Sequence, residues 1–198
     1  MNTGSVVWKA GIGAALIIAV CVMWILFAGT SWLDRWVYPI HYREDIIVSS
    51  QNYKVDPYLI AAIIRVESNY KTDTKSSKGA VGIMQIMPDT ANWIIQKADY
   101  SKYTIHELDN RADVNIEVGA WYIRSLYDQF DYNKIAVIAA YNAGPGNVKK
   151  WLKSGNWDGS LEQLDAVPFG ETRHYVQRVV YYYNKYKKIY SEQEAEGL

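Results

Sequence analysis

Glu67 is the carboxylate around which chemistry could be built. It closes the apolar run Leu59-Ile60-Ala61-Ala62-Ile63-Ile64-Arg65-Val66. On a helix, Ile63 and Ile64 lie one turn before it, close to its face. A carboxyl against apolar neighbours has its charged form disfavoured, and its pKa rises. A general acid working near neutral pH needs that shift. A glutamate ion-paired at a helix end shows the same local pattern, so the helix alone leaves both readings open.

Three further stretches carry polar groups in apolar settings. In Gly79-Ala80-Val81-Gly82-Ile83-Met84-Gln85-Ile86-Met87-Pro88 the two glycines permit a tight turn or close approach to a ligand. A plain loop-to-helix connection accounts for them, but not for Gln85, an amide between apolar residues that needs partners. Ala140-Tyr141-Asn142-Ala143-Gly144 ends an apolar segment with a phenol and an amide, groups suited to a ligand with hydroxyls and apolar faces. A helix C-cap explains Gly144 but explains Tyr141 less well. Tyr175, in Glu171-Thr172-Arg173-His174-Tyr175-Val176, is ambiguous alone in a chain with 17 tyrosines.

The elements that must position these groups read as almost all helix. Asp56-Pro57 starts a helix, Asp as cap and Pro in the first turn, and Leu59, Ile60, Ile63 and Val66 recur at helical spacing. Asp73 to Gly82 reads as a loop, and Pro88-Asp89-Thr90 begins a short helix. Val114, Val118, Trp121, Tyr122 and Leu126 mark a longer one. Ile135 to Ala139 forms a short apolar helix that stops at Gly144-Pro145-Gly146, and Thr172 to about Ile189 forms a Tyr-rich helix. No alternation of period two persists long enough for a strand.

Composition narrows the function class. With 198 residues, 49% hydrophobic and 21% charged, the chain has enough apolar surface for one folded domain plus something short. A formal net charge of zero argues against a nucleic-acid binder. Cys21 is the single cysteine, so no internal disulfide forms. His41, His106 and His174 lie far apart, which predicts no metal site.

Residues 10–29 carry no charge, and Trp8 and Lys9 on one side and Trp32, Asp34, Arg35 and Trp36 on the other flank them. A helix of that length, at about 1.5 Å per residue, spans the roughly 30 Å hydrocarbon core of a bilayer. The apolar stretch exceeds the roughly 7–15 residues of a cleaved signal peptide, so it predicts an uncleaved anchor. Basic residues do not set its orientation. The expected organisation is a tail and transmembrane anchor over 1–30, a juxtamembrane linker over 31–41, a catalytic domain over 42–190, and a frayed polar tail over 191–198.

Together the motifs resemble the lytic transglycosylase domain of the soluble (Slt-type) family, which has a lysozyme-like fold. The likeness runs from about Tyr42 to Tyr186 and rests on four ordered motifs: Glu67-Ser68, Gly82-Ile83-Met84-Gln85, Ala140-Tyr141-Asn142-Ala143-Gly144 and Glu171 to Val176. The chain has Ile83 where the family more often has Leu, and lacks the usual Asp-Pro before Asn115-Ile116. The resemblance implies that Glu67 is the catalytic acid/base and that Ser76 lies near the substrate acetamido group. It implies that Gln85 and Tyr141 line the cleavage site, that Met84 borders it, and that Asn142, Glu171 and Tyr175 hold further substrate positions. It also implies a peptidoglycan glycan strand as substrate, with no metal or cofactor, and so places the domain on the extracytoplasmic side of the cell membrane.

Glycosidases usually need two carboxylates, and these motifs supply one. The resemblance therefore implies substrate assistance, with a 6-hydroxyl closing a 1,6-anhydro ring. A muramidase that admits water, with Asp73 or Asp113 as second carboxylate, is the nearest rival; a glycan-binding module without activity is the other.

Overall fold

In this computed structural model the backbone is described for residues 3–28, 31–72, 74, 76, 79–98, 100 and 103–196. Side chains 3–11, 25, 27, 28, 31, 32 and 192–196 lie outside the description. The chain divides into two units, Met1–Pro39 and Ile40–Leu198.

The first unit holds α1 (Thr3–Ala28) and α2 (Ser31–Val37). Along α1 the described apolar side chains stand exposed, Ile17 at 66% and Trp24 at 74%. Among the described residues no helix is long and apolar enough to cross a membrane. The expected span over 10–29 coincides with α1 as far as Ala28, and Gly29 lies outside the described residues.

The second unit is helical: α3 (Arg43–Tyr53), α4 (Pro57–Glu67), α5 (Pro88–Lys97), α6 (Ile105–Asn110), α7 (Ala112–Gln129), α8 (Lys134–Ala143), α9 (Pro145–Lys153), a single 3₁₀ turn at Leu164–Ala166, and α10 (Gly170–Glu196). Among the described residues the only β pairing is the bridge between Val81 and Ile86.

α4 forms for reasons visible in its residues. Asp56 Oδ1 accepts the Tyr58 N–H at 2.9 Å, and Pro57 occupies the first turn, where its missing N–H costs nothing. Every side chain from Leu59 to Ile64 is fully buried. Asn69 and Tyr70, both with positive φ, turn the chain sharply after Ser68, so the helix stops with Glu67 in its last turn.

α10 packs against α4 and α8. Tyr183 Oη donates to Asp56 Oδ2 at 2.9 Å, at the start of α4, and accepts from Lys134 Nζ at 2.8 Å, at the start of α8. α7 packs against α3, α5, α6 and α8, and supplies the buried Asn115.

Three boundaries differ from expectation. Gly144 does end α8, with φ 82, but Pro145 is then the first residue of a new helix, α9. α6 is opened by a capping box between Thr104 and Glu107, a local signal too short for periodicity to register. α10 continues to Glu196 instead of fraying after Tyr190. Ile189 and Tyr190 are still buried, and the following Glu, Gln and Ala residues are strong helix formers.

Candidate active site

α4 delivers Glu67 to the flank of α10, where the Tyr175 hydroxyl donates to Glu67 Oε1 at 2.7 Å. Burial of the carboxyl is the dominant influence on it and pushes its pKa up to about 7. The Tyr175 hydrogen bond and the nearby Arg178 guanidinium pull the other way, while Glu171 pushes it further up. The carboxyl is thus half-protonated near neutral pH, able both to give and to take a proton.

Tyr141 reaches the same place from the end of α8. Its hydroxyl donates to the Met84 carbonyl at 3.0 Å. Burial, and then the charge of Glu67, hold its pKa well above that of an ordinary tyrosine. Burial raises Tyr175 in the same way. Both phenols therefore stay neutral donors beside Glu67. Tyr141 also lies against Tyr122, with ring centroids 5.4 Å apart.

The segment carrying Met84 and Gln85 is a miniature hairpin. Val81 N–H donates to the Ile86 carbonyl at 2.9 Å and Ile86 N–H to the Val81 carbonyl at 3.0 Å, closing a loop of Gly82-Ile83-Met84-Gln85. Asn115 pins it from α7: Oδ1 accepts the Met84 N–H at 2.8 Å, and Nδ2 donates to the carbonyls of Val81 at 3.1 Å and Leu108 at 2.9 Å. Gly82, with φ +70, sits against Asn115 so closely that a Cβ there would lie 2.1 Å from Nδ2. Close approach, and not only turn geometry, requires this glycine.

Gln85 is half-buried and finds two partners: Nε2 donates to the carbonyls of Thr74 at 2.9 Å and Gly82 at 2.8 Å. It thereby ties the hairpin to the loop that carries Ser76. Ser76 Oγ accepts the Ala80 N–H at 2.8 Å, so its oxygen shapes that loop. Asn142 Oδ1 accepts from Thr172 Oγ1 at 2.7 Å, joining α8 to the first turn of α10.

Two of the expected substrate-side residues have buried side chains. Met84, expected to border substrate, has a fully buried side chain whose sulfur packs on Gly119; the residue acts here through its backbone carbonyl. Tyr175, expected on substrate, is 7% exposed and its hydroxyl is bonded to the Glu67 carboxyl. Asn115 is the residue that reading the sequence missed as a site element. It appeared there only as part of a fold-supporting segment.

The second carboxylates proposed for a hydrolase fare differently. Asp113 is bonded to Arg111, Nη2 to Oδ2 at 2.6 Å, and its charge acts on Asp45. Asp73 lies outside the described residues. Among the described residues no group of His, Cys, Asp and Glu could hold a metal ion.

The Transglycosylase SLT domain matches residues 44–163, more than half of the chain. This chain belongs to that family. The soluble lytic murein transglycosylase of Salmonella typhimurium is 34% identical over 161 residues, covering 80% of this chain and 25% of that protein. The membrane-bound lytic murein transglycosylase E of Buchnera aphidicola is 36% identical over 54% of this chain and 52% of its own length. The crystal structure of the 70 kDa soluble lytic transglycosylase of Escherichia coli superposes with a TM-score of 0.73 at 32% identity, over 78% of this chain and 25% of that one. This SLT family chain thus spans about a quarter of the length of its soluble relatives, and its mostly helical fold is theirs.

Proposed function

We propose that this SLT family chain is a lytic transglycosylase that cleaves the β-1,4 bond from N-acetylmuramic acid to N-acetylglucosamine in peptidoglycan, leaving 1,6-anhydro-muramic ends. The observation that carries this reading is the buried Glu67 carboxyl, titrating near 7 and held by the neutral Tyr175 hydroxyl.

In the proposed reaction, protonated Glu67 gives its proton to the glycosidic oxygen as the bond from the anomeric carbon to that oxygen breaks. The 2-acetamido carbonyl of the muramic residue stabilises the developing cation, the substrate-assisted alternative to a second carboxylate. Glu67, now a carboxylate, takes the proton from the 6-hydroxyl of the same sugar, and that oxygen bonds to the anomeric carbon. No water enters, and Glu67 ends protonated as it began. The 6-hydroxyl competes with water because it is tethered and already oriented. Ser76, Gln85, Asn142 and Glu171 are proposed to hold the sugars around this bond. No cofactor is needed for these steps.

The anchor belongs to the same proposal. Residues 10–29 carry no charge and α1 runs without interruption through them to Ala28, exposing apolar side chains that water solvates poorly. The chain is therefore proposed to be a single-pass protein of the cell membrane with its domain, residues 42–190, on the extracytoplasmic side.

Mass spectrometry of the glycan products tests the chemistry. Purified peptidoglycan is incubated with the chain and, in parallel, with the Glu67→Gln protein. Products one water lighter than hydrolysis products, absent with Glu67→Gln, are expected. Reducing-end products would make the enzyme a muramidase instead. Retention in the membrane pellet after an alkaline carbonate wash is the expected behaviour of the anchor.

A further inference from the structure

α3 and α7 pack along each other, and the groove between them carries groups that the reading of Glu67 does not use. Asp45, Val48, Ser49 and Asn52 follow one another at helical spacing on one face of α3, and Asp113 and Glu117 stand one turn apart on α7. Together they line a cavity of about 230 Å³. Among the described residues its lining holds three carboxylates and no basic side chain. Burial first, and then the charges of Asp113 and Glu44, push the Asp45 carboxyl up from its ordinary value.

Two of these carboxylates are fixed from outside the cavity. Glu117 accepts the Tyr53 hydroxyl on Oε1 at 3.2 Å and the Tyr103 hydroxyl on Oε2 at 2.8 Å. Asp113 is gripped in a fork by Arg111, Nε to Oδ1 at 3.3 Å and Nη2 to Oδ2 at 2.6 Å. That ion pair offsets Asp113 and leaves Asp45 and Glu117 as the charges that no ion pair among the described residues balances.

Exposed carboxylates are ordinary and mark no site by themselves. Ser49 is the independent observation. It is only 4% exposed and lines the same cavity, yet its hydroxyl has no hydrogen-bond partner among the described residues. A buried hydroxyl is normally bonded, and on a helix the carbonyl one turn earlier is the usual acceptor.

The kind of ligand follows from what remains open. Among the described residues no group of His, Cys, Asp and Glu could hold a metal ion. A guanidinium is best met by two free oxygens of one carboxylate. Phenols and Arg111 already occupy those of Glu117 and Asp113, so it would engage Asp45 alone and leave Ser49 unbonded. An alkylammonium donates three single hydrogen bonds in different directions. Asp45, Glu117, the Ser49 hydroxyl and the Asn52 amide oxygen offer acceptors of that kind, and Val48, 55% exposed, gives its methylenes an apolar wall.

We propose that the α3–α7 groove binds a primary alkylammonium, with Asp45 and Glu117 as its countercharges and Ser49 as a neutral acceptor. Free linear polyamines and the end of a lysine side chain share this chemistry. Occupancy ties α3 to the helix that carries Asn115 and stabilises the folded chain by mass action. The site is independent of the glycan-cleaving reading, and either can fail without the other.

The test is calorimetric titration of the full chain in detergent micelles at constant ionic strength. The probes are cadaverine, spermidine and an end-blocked Gly-Lys-Gly peptide. Saturable binding and a raised melting temperature are expected; tighter binding of spermidine or of the peptide tells which source the groove takes. Ser49→Ala, which changes no charge, is expected to raise the Kd about fivefold, and Asp45→Asn about tenfold. Glu162→Gln, which removes an exposed acid outside the groove, is expected to leave the Kd unchanged. No saturable binding of any probe would overturn the proposal. So would equal affinities for the parent and Ser49→Ala, or a loss in Glu162→Gln as large as in Asp45→Asn, since either means charge attraction without a site. Butylguanidinium binding as tightly as cadaverine, or calcium ions displacing it at equal concentration, would overturn the ammonium assignment. If Asp45→Asn melts early, Ser49→Ala decides.

Discussion

Tyr175 and Glu67, 108 residues apart in sequence, meet through one hydrogen bond of 2.7 Å, and that bond opposes the burial of the carboxyl it touches. Burial favours the protonated acid, whereas a hydroxyl donor favours the carboxylate. The balance lies near 7, so the group can serve in both halves of a proton-shuttling cycle.

Tyr175→Phe removes the donor and leaves the burial. The Glu67 pKa should rise, and the alkaline limb of the rate profile should move to higher pH. A hydrogen bond to a charged group is worth about 1.5–3 kcal/mol, which corresponds to a shift of roughly one to two pH units. A pH–rate profile of the variant checks this; a limb that stays in place or moves down would show that Tyr175 does not tune the acid.

Glu67→Gln should abolish cleavage and, at alkaline pH, stabilise the fold. The folded pKa of about 7 lies above the 4.5 of an ordinary glutamate. The contribution of Glu67 is therefore fully present below about 4.5 and is lost as pH rises through 7. The shift corresponds to about 3 kcal/mol. Urea unfolding at pH 5 and pH 8.5 should show the variant gaining on the parent by up to that amount at the higher pH. A pH-independent difference would contradict a perturbed carboxyl.

Asn115→Leu deletes three hydrogen bonds at once and leaves Met84 N–H and the carbonyls of Val81 and Leu108 without that partner. Each buried orphan costs about 1–3 kcal/mol, so a loss of several kcal/mol is expected. Because Tyr141 bonds the Met84 carbonyl, cleavage should fall together with stability. Denaturant midpoints and product yields, measured on the same samples, test both.

Gly82 and Gly79 form an internal control. Both have positive φ, but a Cβ at Gly82 would strike Asn115 and the Leu108 carbonyl, whereas nothing lies within 4 Å of one at Gly79. Gly79→Ala should cost about 1–2 kcal/mol, the left-handed strain alone. Gly82→Ala should cost clearly more. Equal melting temperatures for the two variants would remove the close-approach explanation.

The sequence showed those parts of the site whose causes are local. Asp56-Pro57 and the buried run after it are enough to form α4 and bring Glu67 to its end. Gln85 stood out because an amide among apolar residues must be bonded somewhere, and its partners proved to be main-chain carbonyls. Asn115 gave no such signal. Its three partners come from Val81, Met84 and Leu108, and a polar residue on an amphipathic helix reads as a surface position until the hairpin is folded over it. α9 was hidden because Gly-Pro-Gly signals a stop, and the same Pro is also a favoured first residue of a helix.

The two tyrosines of α10 that hold α4, Tyr183 at its first turn and Tyr175 at its last, make the acidity of Glu67 depend on a helix more than a hundred residues away. In chain order α10 follows every other helix that it packs against. Until α10 docks on α4, Glu67 lacks the Tyr175 hydroxyl that holds it in the folded chain. The raised pKa of Glu67 is thus a property of two helices docked together, and α4 alone does not carry it.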